Sequence, residues 1–435
     1  MSLRTKFILI LASATLTIYT VVGGWISTRA QQPANDPNAQ LRIFESVLQH
    51  IQSDYVDEPN MEKVRAGALR GLAYGLDPYS TYLTPEQVRE YNGNTSKDAP
   101  SGIGAELSQV ASYLYVIAPL KGSAAEQAGI RAGDIIEYID GKATRDISLY
   151  DAKQLLNGAA GTEVKLRVLR ANSNPLTLTV KRGTNRAPAT EARMDAGRVG
   201  ILRLNSLGDG EANDTKAKLQ DLVKQGAQKI VLDLRDTAGG SLDEAVAVAN
   251  FFIKDGVLAQ TVGREGKALK TFTADPKAVI FNGPVVAMID TGTAGASEVI
   301  ASALLEHNRG QVVGEKSFGA GAEQQLFTLR GGDGLLLTTV KWASGNGKAF
   351  LGEDRNHSGV SPSVEVKGPE IADSVDPDDL TGNDDDGVAK PDQSNEKRDA
   401  AQPPVTKPAA AEDLQLKKAL ELLRDNKSVP TQKAA

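Results

Sequence analysis

The sequence predicts an α+β protein built from several units, and three observations carry that prediction. Residues 41–76 place apolar side chains at helical spacing, with Phe44, Val47, Leu48 and Ile51 recurring on one face. The stretches VKLRVLR (Val164 to Arg170) and LTLTV (Leu176 to Val180) read as short strands. From Arg198 onward, strands alternate with helices in the manner of βαβα units. At 435 residues the chain exceeds one ordinary core, so two to three domains are expected.

The amino terminus reads as an export signal. Arg4 and Lys6 precede an apolar stretch from Phe7 to Ile26, and Thr28-Arg29-Ala30 resembles a small-residue cleavage site. Residues 1–30 are therefore expected to be a signal peptide or a membrane anchor, with the rest exported to a periplasm-like space. Without them 46 basic residues face 55 acidic ones, a net charge of −9 that argues against nucleic acid as a partner. The chain has no cysteine, which excludes disulfides and thiolate metal sites. His50, His307 and His357 lack metal-ligand spacing, so neither metal nor cofactor is expected; His307, before Gly310, reads as a helix-end residue.

A polar linker, Gln31 to Gln40, leads into a helical region over 41–98, with a second helical stretch from Met61 to Leu76. Residues 99–184 form the next unit. GIGAEL (Gly102 to Leu107) combines small residues with the apolar Ile103 and Leu107, and its Gly-x-Gly taken alone reads as a turn. GSAAEQAGIRAGDIIEYIDGK (Gly122 to Lys142) follows, and Leu149 to Leu156 reads as the helix of the opposite wall. This unit resembles a PDZ domain. The resemblance implies that Gly102, Ile103, Gly104, Ala105 and Leu107 bind the carboxylate end of a polypeptide with an apolar last residue, which adds a strand to the sheet edge.

The core is expected over 190–367. Its strands and helices begin with GILRLNSL (Gly200 to Leu207), a helix over Asp214 to Lys224, KIVLDLRDTAGG (Lys229 to Gly240) and a helix from Ser241 to Phe252. At its centre lies an apolar strand, Val285 to Ile289, then a Gly/Thr/Ala-rich turn and a helix over Ser297 to Glu306. Such a junction points unpartnered helix N–H groups above the loop.

TAGASE (Thr293 to Glu298), SFGAG (Ser317 to Gly321) and DLRDTAGG resemble the SASASE, TFGKG and DLRxNxGG segments of the carboxy-terminal processing peptidases, the tail-specific serine proteases of family S41. That resemblance covers residues 41–367 and implies a helical amino-terminal region, a PDZ domain and a mixed α/β core of the S41 type (ClpP/crotonase-like). It places the nucleophile at Gly295, the lysine base at Ala320 and a retained glutamine at Gln324, while Thr237 stands where asparagine is usual. Both groups of the catalytic dyad are therefore missing. Glycine and alanine can neither attack a carbonyl nor take its proton. Gly295, Gly239 and Gly240 remain oxyanion-hole candidates, the last two reading equally well as a turn needing positive φ.

The expected function is a pseudoprotease of the cell envelope that binds polypeptide C-termini, as scaffold, decoy or regulator of an active S41 relative, with homo-oligomers possible. Two alternatives stand beside it. One is an active endopeptidase using displaced groups, Ser297 and Lys316, or groups from another subunit. Ser297 lies two helical residues past Gly295 and faces roughly the opposite way, and Lys316 lies about 13 Å of extended chain from Ala320. The other is a structural hub docking through its tail helix. Residues 371–410 are acidic, Pro-rich and expected to be disordered, and an amphipathic helix over Ala411 to Leu423 ends the pattern, in the domain span 411–424. The acidic runs 376–379 and 383–387 read as solvated linker rather than a Ca²⁺ site.

Overall fold

The computed structural model describes residues 37–93, 101–145, 147–183, 186–368 and 412–425. The predicted export segment and the acidic linker lie outside the described residues. Among the described residues, no helix is long and apolar enough to cross a membrane. The chain divides into two compact units, residues 1–68 and 69–435.

In the first unit, helix α1 (Pro37–Asp54) matches the predicted spacing, and helix α2 (Met61–Tyr74) begins there with Asn60 accepting the Lys63 N–H at 2.9 Å. The α1 side chains Leu41, Phe44, Val47 and Leu48 are all exposed.

The second unit holds three sheets. Strand β1 (Thr81–Leu83) leads to helix α3 (Pro85–Gly93), whose start follows from TPEQ: Gln87 accepts the Thr84 N–H at 3.0 Å and Pro85 fills the first helical position. The small module comprises β2 (Ala105–Val110), β3 (Tyr113–Pro119), helix α4 (Ala124–Gln127), β4 (Ile135–Ile139), β5 (Lys142–Ala143), helix α5 (Leu149–Leu156), β6 (Glu163–Leu169) and β7 (Leu176–Lys181). Its sheet runs β2-β3-β4-β6-β7, with β5 beside β4. Leu114, Val116, Ile136, Leu166 and Val168 pack beneath α5, whose N-terminus is capped by Ser148. Strands β2 and β7 are the edges of this sheet.

The core continues with β8 (Glu191–Asp195), β9 (Val199–Arg203), helix α6 (Glu211–Lys224), β10 (Lys229–Asp233), helix α7 (Leu242–Asn250), β11 (Val257–Val262), β12 (Ala268–Thr273), β13 (Val285–Ile289), helix α8 (Ala296–Glu306), β14 (Gly310–Gly314), β15 (Ala322–Thr328), β16 (Gly334–Ser344) and β17 (Val364–Glu365). Strands β17-β14-β13-β10-β9 are parallel neighbours, with β8 antiparallel at the end. Antiparallel strands β1-β16-β11-β12, with β15 on β16, make the third sheet.

Side-chain alternation along the parallel strands explains their unbroken apolar sequences, because both faces are covered. Ile230, Leu232, Val285 and Ala287 face α7 and α8. Val231, Val286, Met288 and Val313 face the other way, against the last helix α9 (Leu414–Asp425) through Ala419 and Leu423. This corrects the hub expectation. The apolar face of the tail helix is already used by the chain's own sheet, and the Lys229 ammonium holds the Leu423 carbonyl.

Candidate functional site

Two turns meet at the carboxyl ends of β10 and β13. The Thr293 hydroxyl donates to the Leu234 carbonyl at 3.0 Å, the Ala294 N–H to Thr237 at 3.1 Å and the Ala296 N–H to Gly239 at 3.3 Å. Asp290 Oδ1 accepts the N–H groups of Asp236 and Gly292 at 3.0 Å each. Burial, followed by the charge of Asp236, raises the Asp290 carboxyl to about 7. Gly295 caps α8 at φ +66, and a Cβ on it would stand 3.6 Å from the Gly239 carbonyl oxygen and 3.7 Å from the Gly239 nitrogen. Gly295, the position that the resemblance gives to the nucleophile, thus faces the 236–240 turn.

The oxyanion expectation for Gly295 needs correction. Its N–H donates to Glu298 Oε2 at 2.7 Å, because the third residue of α8 reaches back over its own N-terminus. Glu298 has no exposed surface. It also accepts the Ser317 hydroxyl at 2.5 Å, the Gly319 N–H at 2.8 Å and the Ala320 N–H at 2.9 Å. One carboxyl thereby joins Gly295 to Ala320. Burial pushes its pKa up to about 7, against the pull of these four donors. The sequence reading missed Glu298 as a site residue. Its signal was the acid closing TAGASE, which general helix preference alone explains.

Gly239 and Gly240 lie at φ +75 and +91, and among the described residues their N–H groups donate to no acceptor. They are the donors this turn leaves over. Gly240 also needs its missing Cβ, which would stand 2.7 Å from the Leu207 carbonyl oxygen. Thr237, in the usual asparagine place, is buried and donates to the Leu204 carbonyl at 2.7 Å.

The displaced dyad is not assembled. Ser297 is fully buried and donates to the Thr237 carbonyl at 2.8 Å, since the first turn of α8 points it inward. Lys316 donates to the carbonyls of Asn356 at 2.7 Å and Arg355 at 3.3 Å. Ala320 is buried against Tyr113, Tyr115, Ile117 and Phe318, with the Tyr115 and Phe318 rings stacked 5.5 Å apart. One face of the small module therefore covers the base position. Gln324 lies on β15, where its amide donates to Thr338 at 3.2 Å, and Thr338 in turn donates to Asp77 at 3.0 Å.

A groove lies between β2 and α5 and holds about 240 Å³. Ile103, Gly104, Ala105 and Leu107 line it, with Leu156 opposite. Among the described residues, the N–H groups of Ile103 and Gly104 donate to no backbone carbonyl, as a carboxylate-cupping loop requires. Gly102 is corrected: its N–H is taken by the Gly183 carbonyl at 3.0 Å, which anchors the loop to the end of the module. Asp236 and Ala238 of the core turn complete the groove wall.

Comparison with known proteins agrees with this geometry. The family model "Peptidase family S41" matches residues 198–366, and the "PDZ domain" model matches residues 115–170. The chain is 34% identical over 367 residues to the "Probable CtpA-like serine protease" of Staphylococcus aureus strain MRSA252, covering 83% of this chain and 71% of that one. It is 28% identical over 372 residues to the carboxy-terminal processing protease CtpA of Bacillus subtilis, covering 85% and 78%. Among solved structures, the photosystem II D1 C-terminal processing protease superposes with a TM-score of 0.61 at 28% identity, over 74% of this chain and 92% of its own. The two family models and a 34% identical relative matched over 83% of this chain establish that the chain belongs to peptidase family S41, among its CtpA-like carboxy-terminal processing proteases.

Proposed function

We propose that this family member is a pseudoprotease of the cell envelope that holds polypeptide C-termini in its PDZ groove without cutting them. The observation that carries the reading is the pair Gly295 and Ala320, joined through Glu298 where the family places its serine and lysine. A dyad needs a hydroxyl and a neutral amine at those two points. Here both points carry only backbone N–H groups, and both donate to one buried carboxyl. The basic-then-apolar amino-terminal segment supports an exported location, and an active relative would be a natural client of such a scaffold.

The test pairs cleavage with binding. The purified chain is incubated with an unstructured protein ending in an apolar residue, beside a Gly295→Ser/Ala320→Lys variant, and the same tail is titrated as free acid and as amide. No cleavage by the unmodified chain, together with binding that requires the free carboxylate, supports the reading. Cleavage by the unmodified chain sinks it.

A further inference from the structure

We propose that the groove selects tails with a basic residue immediately before an apolar last residue, and that Glu106 and Asp236 read that basic side chain. The inference rests on the groove-binding function above and adds the chemistry of its ligand.

Successive side chains of a strand point to opposite faces. On the edge strand β2, Leu107 packs with Ile103 and Leu156, and its neighbour Glu106, beside a register shift in the β2–β3 pairing, reaches both Lys153 and the 236–240 turn of the core. There Glu106 Oε2 stands 3.2 Å from the point a Cβ on Gly239 would occupy. A ligand strand added to β2 alternates in the same way. Its last side chain enters the apolar pocket, and the one before it falls on the side of Glu106 and Asp236.

Charge then decides what fits. The charged side chains lining the groove are Glu106, Asp236 and Lys153; burial holds the Asp236 carboxyl above the usual range and Arg203, Arg235 and Lys121 act on it, so Glu106 is the groove's principal negative charge. Lys153 Nζ, on α5, lies 3.3 Å from Glu106 Oε1 and spans the groove from wall to wall. An incoming terminal carboxylate competes for that single ammonium and adds a further negative charge. A lysine or arginine before the last residue supplies the second positive charge and pairs with the carboxylate that Lys153 releases. A glutamate there would meet Glu106 once Lys153 has turned to the terminal carboxylate.

Three labelled peptides test this on the full chain by fluorescence anisotropy. They end in leucine as the free acid and differ only in lysine, serine or glutamate before it, with an amidated lysine peptide as control. The lysine peptide is expected to bind about tenfold tighter than the glutamate peptide at low salt, with serine between. Glu106→Gln is expected to narrow that spread below about threefold, and Asp236→Asn to narrow it in part. Asparagine keeps the positive φ of +52 tolerable at position 236. Equal affinities, or a spread unchanged in both variants, overturn the selectivity and leave groove binding standing. If no peptide binds, or the amide binds as well as the acid, groove binding itself falls.

Discussion

Burial of Glu298 among Gly295, Ser317, Gly319 and Ala320 turns its ionisation into a stability term. Its folded pKa of about 7 lies above the ordinary value of 4.5, so the folded state holds the proton longer than the unfolded chain does. The associated stability is fully present below about 4.5 and is lost as pH rises through about 7, a change of about 3 kcal/mol. Glu298→Gln is expected to cost about 2–4 kcal/mol, because an amide NH₂ must then face N–H donors that have lost their acceptor. That cost should be larger at pH 5 than at pH 8, since only the parent chain titrates between them. Urea unfolding of both proteins at the two pH values checks the size and the sign. At Gly295, by contrast, a side chain meets only ordinary contact distances, so the Gly295→Ser substitution above costs mainly backbone strain, about 1–3 kcal/mol, because φ +66 with ψ −113 lies outside the left-handed helical region.

Helix α9 couples the end of the chain to the same turns. Arg235, in the DLR segment, donates to both Asp413 oxygens at 2.9 Å and to both Asp233 oxygens at 2.8 Å, and Arg203 donates to Asp233 at 2.9 Å. Burial works against ionisation of Asp233, but Arg235 and Arg203 outweigh it and hold its carboxyl below the usual range. Asp413 is partly exposed, which discounts its share. Asp413→Ala is expected to lower stability by about 1–2 kcal/mol in denaturant titrations, while C-terminal peptides still bind the groove. Loss of tail binding in that variant, with stability unchanged, would restore a docking role for the tail helix.

At the scale of the molecule, the PDZ domain is seated on the site loops and does not stand apart from the core. Phe318 stacks on Tyr115 and lies under the Arg355 guanidinium, 4.1 Å from the ring centre. Phe318→Ala is expected to cost about 3 kcal/mol and to split thermal unfolding into separate PDZ and core transitions, which calorimetry would resolve. A single transition with unchanged midpoint would show that this contact does not couple the two. A lysine introduced at position 320 would enter the same cluster, so the Gly295→Ser/Ala320→Lys variant tests whether the two faces can separate enough to admit it.

Periodicity and turn chemistry carried most of the fold into the sequence. The central strand Val285–Ile289, helix α5 and the alternation after Arg198 are legible because each buries a face whose spacing is written locally. That Gly295 and Ala320 stand where the resemblance implies a serine and a lysine is read from the sequence alone, since it depends only on which residues occupy two positions in recognisable segments. What the sequence could not decide is where a hydrogen bond goes when several acceptors compete. Gly295 and Gly102 each have an N–H free to serve a ligand by spacing alone, yet Glu298 and Gly183 take them. The tail helix carried an amphipathic face with no indication of what would cover it, and Ser297 a hydroxyl with no indication of its direction. Those outcomes belong to contacts between residues far apart in the chain, and only the packed structure brings the partners within reach.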